Sequence, residues 1–320
     1  MDWPQDSFNG PLVIVRAVHF AATATTAGTL IFRAAVAEPA LRSAQAAAAV
    51  VRMQTLRVAW IGLAVAAASG AFWVLIQAAA MSGLSLKEMM AADVLPTVMN
   101  ETQFGVVTEI RLVLAIMLAG CLTFDRYAPL RWLGLASAIG LTAAIAWTGH
   151  AGSGVGETGM LHLTADVLHL IAAAAWLGGL VSLALLLASA RRHGGLAWAS
   201  AAHDAARRFS TLGIVSVGAI FATGIVNTWI LVGSVHTLIV ADYGRLLMLK
   251  ITLFAAMLSI AAANRFFVAP RLALESENAS RRVALGRLTR NSMFEIALAL
   301  TIFGLVGVLG TMHPAIHQPF

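Results

Sequence analysis

Three ionisable residues stand close together near the start of a long apolar segment. His162, Asp166 and His169 lie within the run GMLHLTADVLHLIAAAAWLGG, residues 159–179. Spacings of four and three residues put the three side chains on one face of an α-helix. Imidazole suits copper and zinc, and it also binds and releases protons. His162 and His169 would be separated by about 10 Å along the helix axis. We therefore interpret the face as successive metal-binding stations, or as half-sites that other helices complete.

Two further histidines are expected near the same end of the molecule. His150 ends the preceding apolar segment, beside the Gly-rich link AGSGVGETG, and His19 lies about as deep in the first apolar segment as His169 lies in the fifth. We expect His19, Asp166 and His169 to face one shared cavity that opens toward this end. Thioether sulfur favours Cu(I), and imidazole also binds copper. The weaker candidate ligands at this end are Met160, Met312 and His313.

Composition indicates the environment of these residues. Of 320 residues, 59% are hydrophobic and 11% are charged, and the mean hydropathy is +0.83. Soluble domains carry roughly 25% charged residues, so the chain is predicted to be an integral membrane protein. The single cysteine, Cys121, excludes an intrachain disulfide and a Cys-pair metal site. No nucleotide-hydrolysing motif is found, and we expect no enzymatic activity.

Eight apolar segments are long enough to cross a bilayer as helices. The predicted spans are residues 12–35, 55–80, 104–124, 130–149, 161–189, 209–232, 244–268 and 291–312. Residues 84–100 are too polar to span and contain Pro96, so they are predicted to form an amphipathic segment at the membrane surface. The predicted fold class is all-α, a polytopic bundle of about eight transmembrane helices in one integral membrane domain, residues 1–320.

The basic residues predict the orientation of the bundle. Sixteen of the 21 basic residues lie in the connections and helix ends of one side, whereas the connections of the other side hold only Lys87. The positive-inside rule therefore places both termini outside the cytoplasm, N-out and C-out, with the candidate ligands near the outer face. This distribution also accounts for the net charge of +6 without nucleic-acid binding.

Several motifs resemble those of the copper resistance protein D (CopD) family. The run TGHAGSGVGETGMLHLTADVLHLIAAAAWLGGL contains GHA at the end of one helix, then D-x-x-H and W-x-G-G-L. The segments TQFGVVTEIRL, FSTLGIVSVGAIFATGIVNTWILVGS and DYGRLLMLKITLFAAMLSIAAANRFFVAPRL are similar to other segments of the family. The ordered similarity covers residues 100–272, and residues 1–99 match mainly in hydropathy.

The resemblance to this family, and to the related YcnJ-type proteins, implies a multi-pass protein of the bacterial inner membrane that handles copper. By position, His150 falls in GHA, and Asp166 and His169 fall in D-x-x-H, whereas His19 and His162 lie outside these motifs. The implied partners are a copper ion of either oxidation state, the lipid bilayer and a separate periplasmic copper carrier. Inward copper transport is favoured because the candidate ligands gather at the outer mouth.

Two alternatives remain open. Two histidines at equal depth on different helices are what a b-type haem requires as axial ligands, so His19 and His169 could serve a membrane electron-transfer protein. Alternatively, the histidines could link helices by hydrogen bonds in a structural or assembly subunit, with Asp166 in a buried ion pair. The cations available to Asp166 are Arg16, Arg111, Arg245 and Lys250.

Overall fold

The computed structural model describes residues 9–274 and 278–317, and most of this part of the chain is helical. Eight of its helices are long and apolar enough to cross a membrane. In chain order they are α1 (Gly10–Ala40), α2 (Gln45–Ser82), α3 (Gln103–Thr123), α4 (Ala128–Thr148), α5 (Gly156–His193), α6 (Gly195–Val232), α7 (Asp242–Arg271) and α8 (Arg282–Leu309). The predicted all-α class and the eight spans are therefore confirmed.

Three helices begin well before the apolar segments that predict them. Helix α2 begins at Gln45 rather than near residue 55, α6 at Gly195 rather than near 209, and α8 at or before Arg282 rather than near 291. The added turns are rich in Ala, Arg and Leu, which favour helix even where the sequence is too polar for a membrane core. All three extensions lie at the end of the bundle that holds most of the arginines, called here the arginine-rich end.

The opposite, arginine-poor end carries short helices between α2 and α3. Helix α2 ends at Ser82, and the next residue, Gly83, has a φ of 69°, the left-handed conformation that glycine adopts easily. The next helix, Leu86–Ala91, begins with a capping box in which the Ser85 N–H donates to Glu88 Oε2 at 3.0 Å. It is followed by Val94–Glu101. The segment predicted as amphipathic is thus two short helices, and Met89 packs its buried side chain against α2.

Helices α1 and α5 are the most buried helices and cross at the centre of the bundle. A Cβ on Gly178 would collide with the Ala24 carbonyl group of α1, and one on Gly28 would collide with α5. The two backbones therefore meet without intervening side chains, as small residues allow in membrane proteins. At this crossing α5 adopts a π-helical turn, Ala174–Gly178. The Ser182 hydroxyl then donates to Thr29 Oγ1 at 3.1 Å, which links the helices by a hydrogen bond.

Ion pairs connect the helices at the arginine-rich end. The buried Arg33 pairs with the buried Asp125, and its Nε also lies 3.1 Å from Glu38 Oε1. Arg52 reaches the second oxygen of Asp125 at 2.9 Å, and Arg131 reaches Glu38 at 3.0 Å. Because each carboxylate is shared by two guanidinium groups, α1, α2, α4 and the α3–α4 connection are held together there.

Helices α6 and α7 diverge toward the arginine-poor end. They pack against each other near the arginine-rich end, through the last turns of α7. At the other end, the short helix Val235–Val240 lies between them, with its first turn capped by the Ser234 hydroxyl. The intervening space is part of the cavity that contains the candidate ligands.

Candidate functional site

A cavity of about 570 Å³ lies within the arginine-poor half of the bundle. It reaches from the connection after α4 to the middle of the bundle, and every spanning helix except α2 and α3 contributes to its wall. Most of the lining side chains are apolar. Four of the five candidate ligands line it, namely His150, His162, Asp166 and His169. The polar face predicted on α5 therefore points inward, away from lipid.

His169 is oriented by a threonine of α6. Its Nδ1 lies 3.0 Å from Thr223 Oγ1, and that hydroxyl donates its only hydrogen to the Ala219 carbonyl oxygen at 2.6 Å. Thr223 must then accept a hydrogen bond from the Nδ1–H of His169. In the neutral imidazole this leaves the Nε2 lone pair free, and a lone pair on a ring nitrogen is what a metal ion requires.

Asp166 stands one turn before His169 and contacts α6 and α7. Asn227 Nδ2 donates to its Oδ1 at 3.3 Å, while the other side-chain atom of that amide, Asn227 Oδ1, is buried without a hydrogen-bond partner. The positive charge of Lys250 interacts electrostatically with both Asp166 and His169. The Asp166 carboxylate in turn interacts electrostatically with the Tyr243 hydroxyl. All of these residues line the cavity. Of the cations considered for Asp166, Lys250 faces it, whereas Arg245 is exposed and pairs with Asp242 at 3.4 Å.

His150 and His162 lie together at the arginine-poor end of the cavity. His162 is buried on α5 and is close enough to His150 for their charges to interact. Burial lowers the pKa of His150 from its usual value, and the nearby Arg16 charge acts in the same direction. The Nε2 of His150 is buried without a hydrogen-bond partner. A neutral imidazole with an unpaired ring nitrogen is suited to capture a metal ion.

His19 lies outside this cavity, contrary to the expectation that it shares one with Asp166 and His169. Its Nδ1 lies 3.1 Å from Ser69 Oγ, which donates to the Val65 carbonyl oxygen at 2.6 Å, so the His19 Nδ1–H is the donor between them. Its Nε2 accepts a hydrogen bond from the Arg111 guanidinium group. The ring also packs beside Trp73 at 5.4 Å between centroids. Both ring nitrogens are therefore occupied.

The haem alternative gains no support from this arrangement. Bis-imidazole haem ligation needs one free ring nitrogen from each of two histidines that face a common space. His169 lines the cavity and His19 does not, and the His19 nitrogen that would bind iron is paired with Arg111. The residues present do not fit a haem between these two helices.

Arg16 is a buried cation of the cavity wall. It is 7% exposed, and its Nε has no hydrogen-bond partner. The guanidinium carbon lies 5.3 Å from the centre of the Trp73 ring and 5.7 Å from that of Phe20, within cation–π range. The guanidinium group packs directly against Gly310, where any side chain would collide with it.

The weaker candidate ligands lie outside the cavity. Met160 is 66% exposed on α5. Met312 packs in an apolar cluster with Val232 and Leu309, and His313 is exposed after the end of α8. Over residues 9–274 and 278–317, no three His, Cys, Asp or Glu side chains come together as a ready-made metal site. The cavity thus contains separated potential ligands and, among the described residues, no closed coordination shell.

Sequence reasoning missed the α6 residues that complete this wall. Thr223 and Asn227 are spaced by four, so they share one face of α6 opposite the α5 stripe. The signal was present, because two polar residues at that spacing in the apolar run ATGIVNTWIL predict an inward-facing polar patch. Tyr243, at the start of α7, offered no comparable pattern.

The fold and the cavity define a polytopic membrane protein with histidine and carboxylate groups inside a bundle of eight spans. Residues 203–309 match the family described as Copper resistance protein D, and residues 6–160 match its N-terminal domain family, Copper resistance protein D-like. These ranges include His19 and His150. Residues 161–202, which carry His162, Asp166 and His169, fall between them.

Individual proteins agree with the family matches. The chain is 32% identical to Copper resistance protein D of Pseudomonas syringae pv. tomato over 250 residues, which is 75% of this chain and 78% of that protein. It is 30% identical to Inner membrane protein YebZ of Escherichia coli K12 over 76% of this chain and 82% of that protein. Copper transport protein CutJ of Bacillus subtilis is 36% identical over 39% of this chain and 22% of that protein.

This chain belongs to the copper resistance protein D family. The eight spans among its described residues and its similarity to an inner membrane protein identify it as a multi-pass protein of the inner membrane with a copper-related function. No solved structure matches the chain significantly.

Proposed function

We propose that the protein moves copper across the inner membrane, in the inward direction, through the cavity lined by His150, His162, Asp166 and His169. Both termini and the arginine-poor end face the periplasm in this proposal, as the positive-inside rule predicts. Copper is the transported substrate, and transport rather than catalysis is the role assigned. A periplasmic copper carrier would deliver the ion to the mouth at His150.

The observation that carries the proposal is the state of the His169 ring beside Asp166. Thr223 accepts the Nδ1–H, so Nε2 retains its lone pair, and the ring lines the cavity. The Asp166 carboxylate lies one helical turn away. A carboxylate and a neutral imidazole on one helix face make a half-site for copper. Water, or ligands that arrive with the ion, would complete the coordination.

Electrostatics favour a role for Asp166 in cation binding. It is the only carboxylate that lines the cavity among the described residues, which also place the cations Arg16 and Lys250 there. A copper ion would add positive charge to a wall that already carries two cations. The negative charge of Asp166 offsets part of the cost of placing that ion in a low-dielectric bundle.

Substitution of Asp166 tests the proposal. Asp166→Asn keeps the size and the contact with Asn227 but removes the negative charge, so we expect copper accumulation by cells to fall by about 10–100-fold. The matched control is Asp242→Asn, at the same end of the bundle but with a side chain that is 81% exposed. Accumulation is normalised to the amount of protein in the membrane. Equal accumulation by both variants and the parent protein would exclude α5 from the copper route.

A further inference from the structure

The cavity that holds these polar groups also has an opening toward the membrane interior, between α6 and α7. In the arginine-poor half, α6 and α7 are not packed against each other, and Phe221, Ile225 and Trp229 of α6 line the cavity there. These side chains are also among the exposed large hydrophobic residues, with Trp229 74% exposed. Ile251 occupies the corresponding position on α7. The opening is therefore a lateral, apolar gap at the depth of the lipid chains.

The cavity is much larger and more apolar than an ion requires. A water molecule takes about 30 Å³ of liquid volume, so the roughly 570 Å³ space far exceeds a copper ion with a few ligands. Apolar cavities are poorly hydrated, and pockets of about 300–1,000 Å³ are typical of organic ligands. A gap open to lipid gives a membrane-dissolved molecule direct access.

The inner wall behind the gap offers hydrogen-bonding groups of both kinds. The Lys250 ammonium and the Tyr243 hydroxyl are donors that line the cavity. Asn227 Oδ1 is a buried acceptor without a partner, and its amide nitrogen already donates to Asp166. Copper binding by the α5 histidines makes no use of Lys250 or Tyr243. These groups fit a ligand head that both accepts and donates hydrogen bonds.

The local charge selects a neutral head group. Lys250 and Asp166 face the same part of the cavity with opposite charges, so they balance each other. Arg16, the other cation of the cavity wall, acts on His150 at the far end of the cavity. An anionic head beside Lys250, such as a fatty-acid carboxylate, would lie close to the Asp166 carboxylate and be repelled by its like charge. A neutral head keeps the balance and satisfies the unpaired acceptor of Asn227.

We propose that the α6–α7 gap and the Lys250, Tyr243 and Asn227 groups behind it form a binding site for a membrane quinone or quinol. The ring oxygens would accept hydrogen bonds from Lys250 and Tyr243, and a quinol hydroxyl would donate to Asn227 Oδ1. The apolar tail would leave between α6 and α7, along Phe221 and Trp229. This site goes beyond copper transport and does not depend on it.

Filling the gap tests the site without touching its polar groups. A Cβ on Gly224 meets only His169 Cε1, at an ordinary 3.8 Å, so Gly224→Leu places a side chain in the cavity without a backbone clash. Gly218→Leu is the matched control, because Gly218 lies on the same helix, is exposed, and has nothing within 4 Å of its Cβ position. Lys250→Met is the second variant, which removes the main donor and keeps an unbranched side chain of similar length.

The measurement is the amount of quinone that copurifies with the copper-free protein from bacterial membranes, determined by solvent extraction and chromatography. We expect near-stoichiometric quinone in the parent protein and in Gly218→Leu, and a loss of about tenfold, equivalent to about 1.4 kcal/mol, in Gly224→Leu and Lys250→Met. Rebinding of decylubiquinone, followed by tryptophan fluorescence, should show the same order.

Three results would overturn the assignment: no quinone in the parent protein, equal quinone in Gly224→Leu and Gly218→Leu, or recovery of fatty acid or phospholipid alone. Copper binding is measured on the same preparations. Because quinone is quantified without copper, loss of this site and failure of the copper proposal give separate readings.

Discussion

The hydroxyl of Thr223 should control copper binding through the tautomer of His169. In the structure the Thr223 oxygen accepts the Nδ1–H of His169 at 3.0 Å because its own hydrogen is donated to Ala219 at 2.6 Å. Thr223→Val has nearly the same shape and removes that acceptor. The Nδ1–H then loses this acceptor, and the loss of a buried hydrogen-bond partner costs about 1–3 kcal/mol.

The imidazole can avoid this cost by moving its proton to Nε2. That tautomer has no lone pair at Nε2, so copper binding must first restore the less stable form. At 1.4 kcal/mol for each factor of ten, a cost of about 1.4–2.7 kcal/mol weakens copper binding by about 10–100-fold. Thr223→Ser retains a hydroxyl and should restore most of the affinity.

His19 supplies the matched control, since Ser69 accepts its Nδ1–H in the same way at 3.1 Å. Its Nε2 is already paired with Arg111 and is not available to copper. Ser69→Ala should therefore lower the free energy of unfolding by about 1–3 kcal/mol, as loss of the same kind of buried partner does at His169, and leave copper affinity unchanged. Copper affinity of the purified variants is measured by competition with a coloured chelator. Unchanged affinity in Thr223→Val, or an equal loss in Ser69→Ala, would refute the tautomer argument.

Two further predictions concern orientation and pH. In a Cys121→Ser background, Val155→Cys should react with an impermeant thiol reagent added from the periplasm, and Tyr127→Cys should react only from the cytoplasm. Both positions are exposed. The reverse labelling pattern would overturn the N-out, C-out orientation. Burial lowers the pKa of His150, so the unfolded chain binds the proton first and stability is lost as pH falls through about 6.5. Between about pH 7.5 and about pH 5.5, the unfolding temperature should therefore fall more for the parent protein than for His150→Gln, and equal falls would contradict the burial argument.

The helical fold could be predicted because hydropathy and length suffice to place spans in a bilayer. The inward face of α5 could also be predicted, since His162, Asp166 and His169 share a face and ionisable groups avoid lipid. The helix ends could not be placed from hydropathy alone. Helices α2 and α6 begin at Gln45 and Gly195, in Ala-rich sequence that also carries charged residues such as Arg52 and Asp204. Helix propensity rather than the apolar pattern decides where these helices begin.

The position of His19 shows what depth alone leaves undetermined. Sequence spacing puts His19 and His169 at similar heights, but it does not say which neighbours each ring meets around the helix axis. Contacts with Ser69 and Arg111 turn His19 toward α2 and α3, whereas the cavity borders the adjacent face of α1 that carries Arg16, Phe20 and Ala24. Two residues at equal depth can therefore belong to different sites, and only the packing of α1 distinguishes them.

The π-helical turn at Ala174–Gly178 explains how α5 combines two roles that its sequence does not separate. An ordinary helix keeps one face inward along its length, yet α5 must present Asp166 to α6 and α7 and then place Gly178 against the backbone of α1. The wider π turn accommodates an extra residue and rotates the rest of the helix about its axis, and such turns are frequent at functional sites. The arginine-poor half of α5 can therefore line an open cavity while its later turns pack tightly. Trp176, within the turn and 2% exposed, fills the boundary between them.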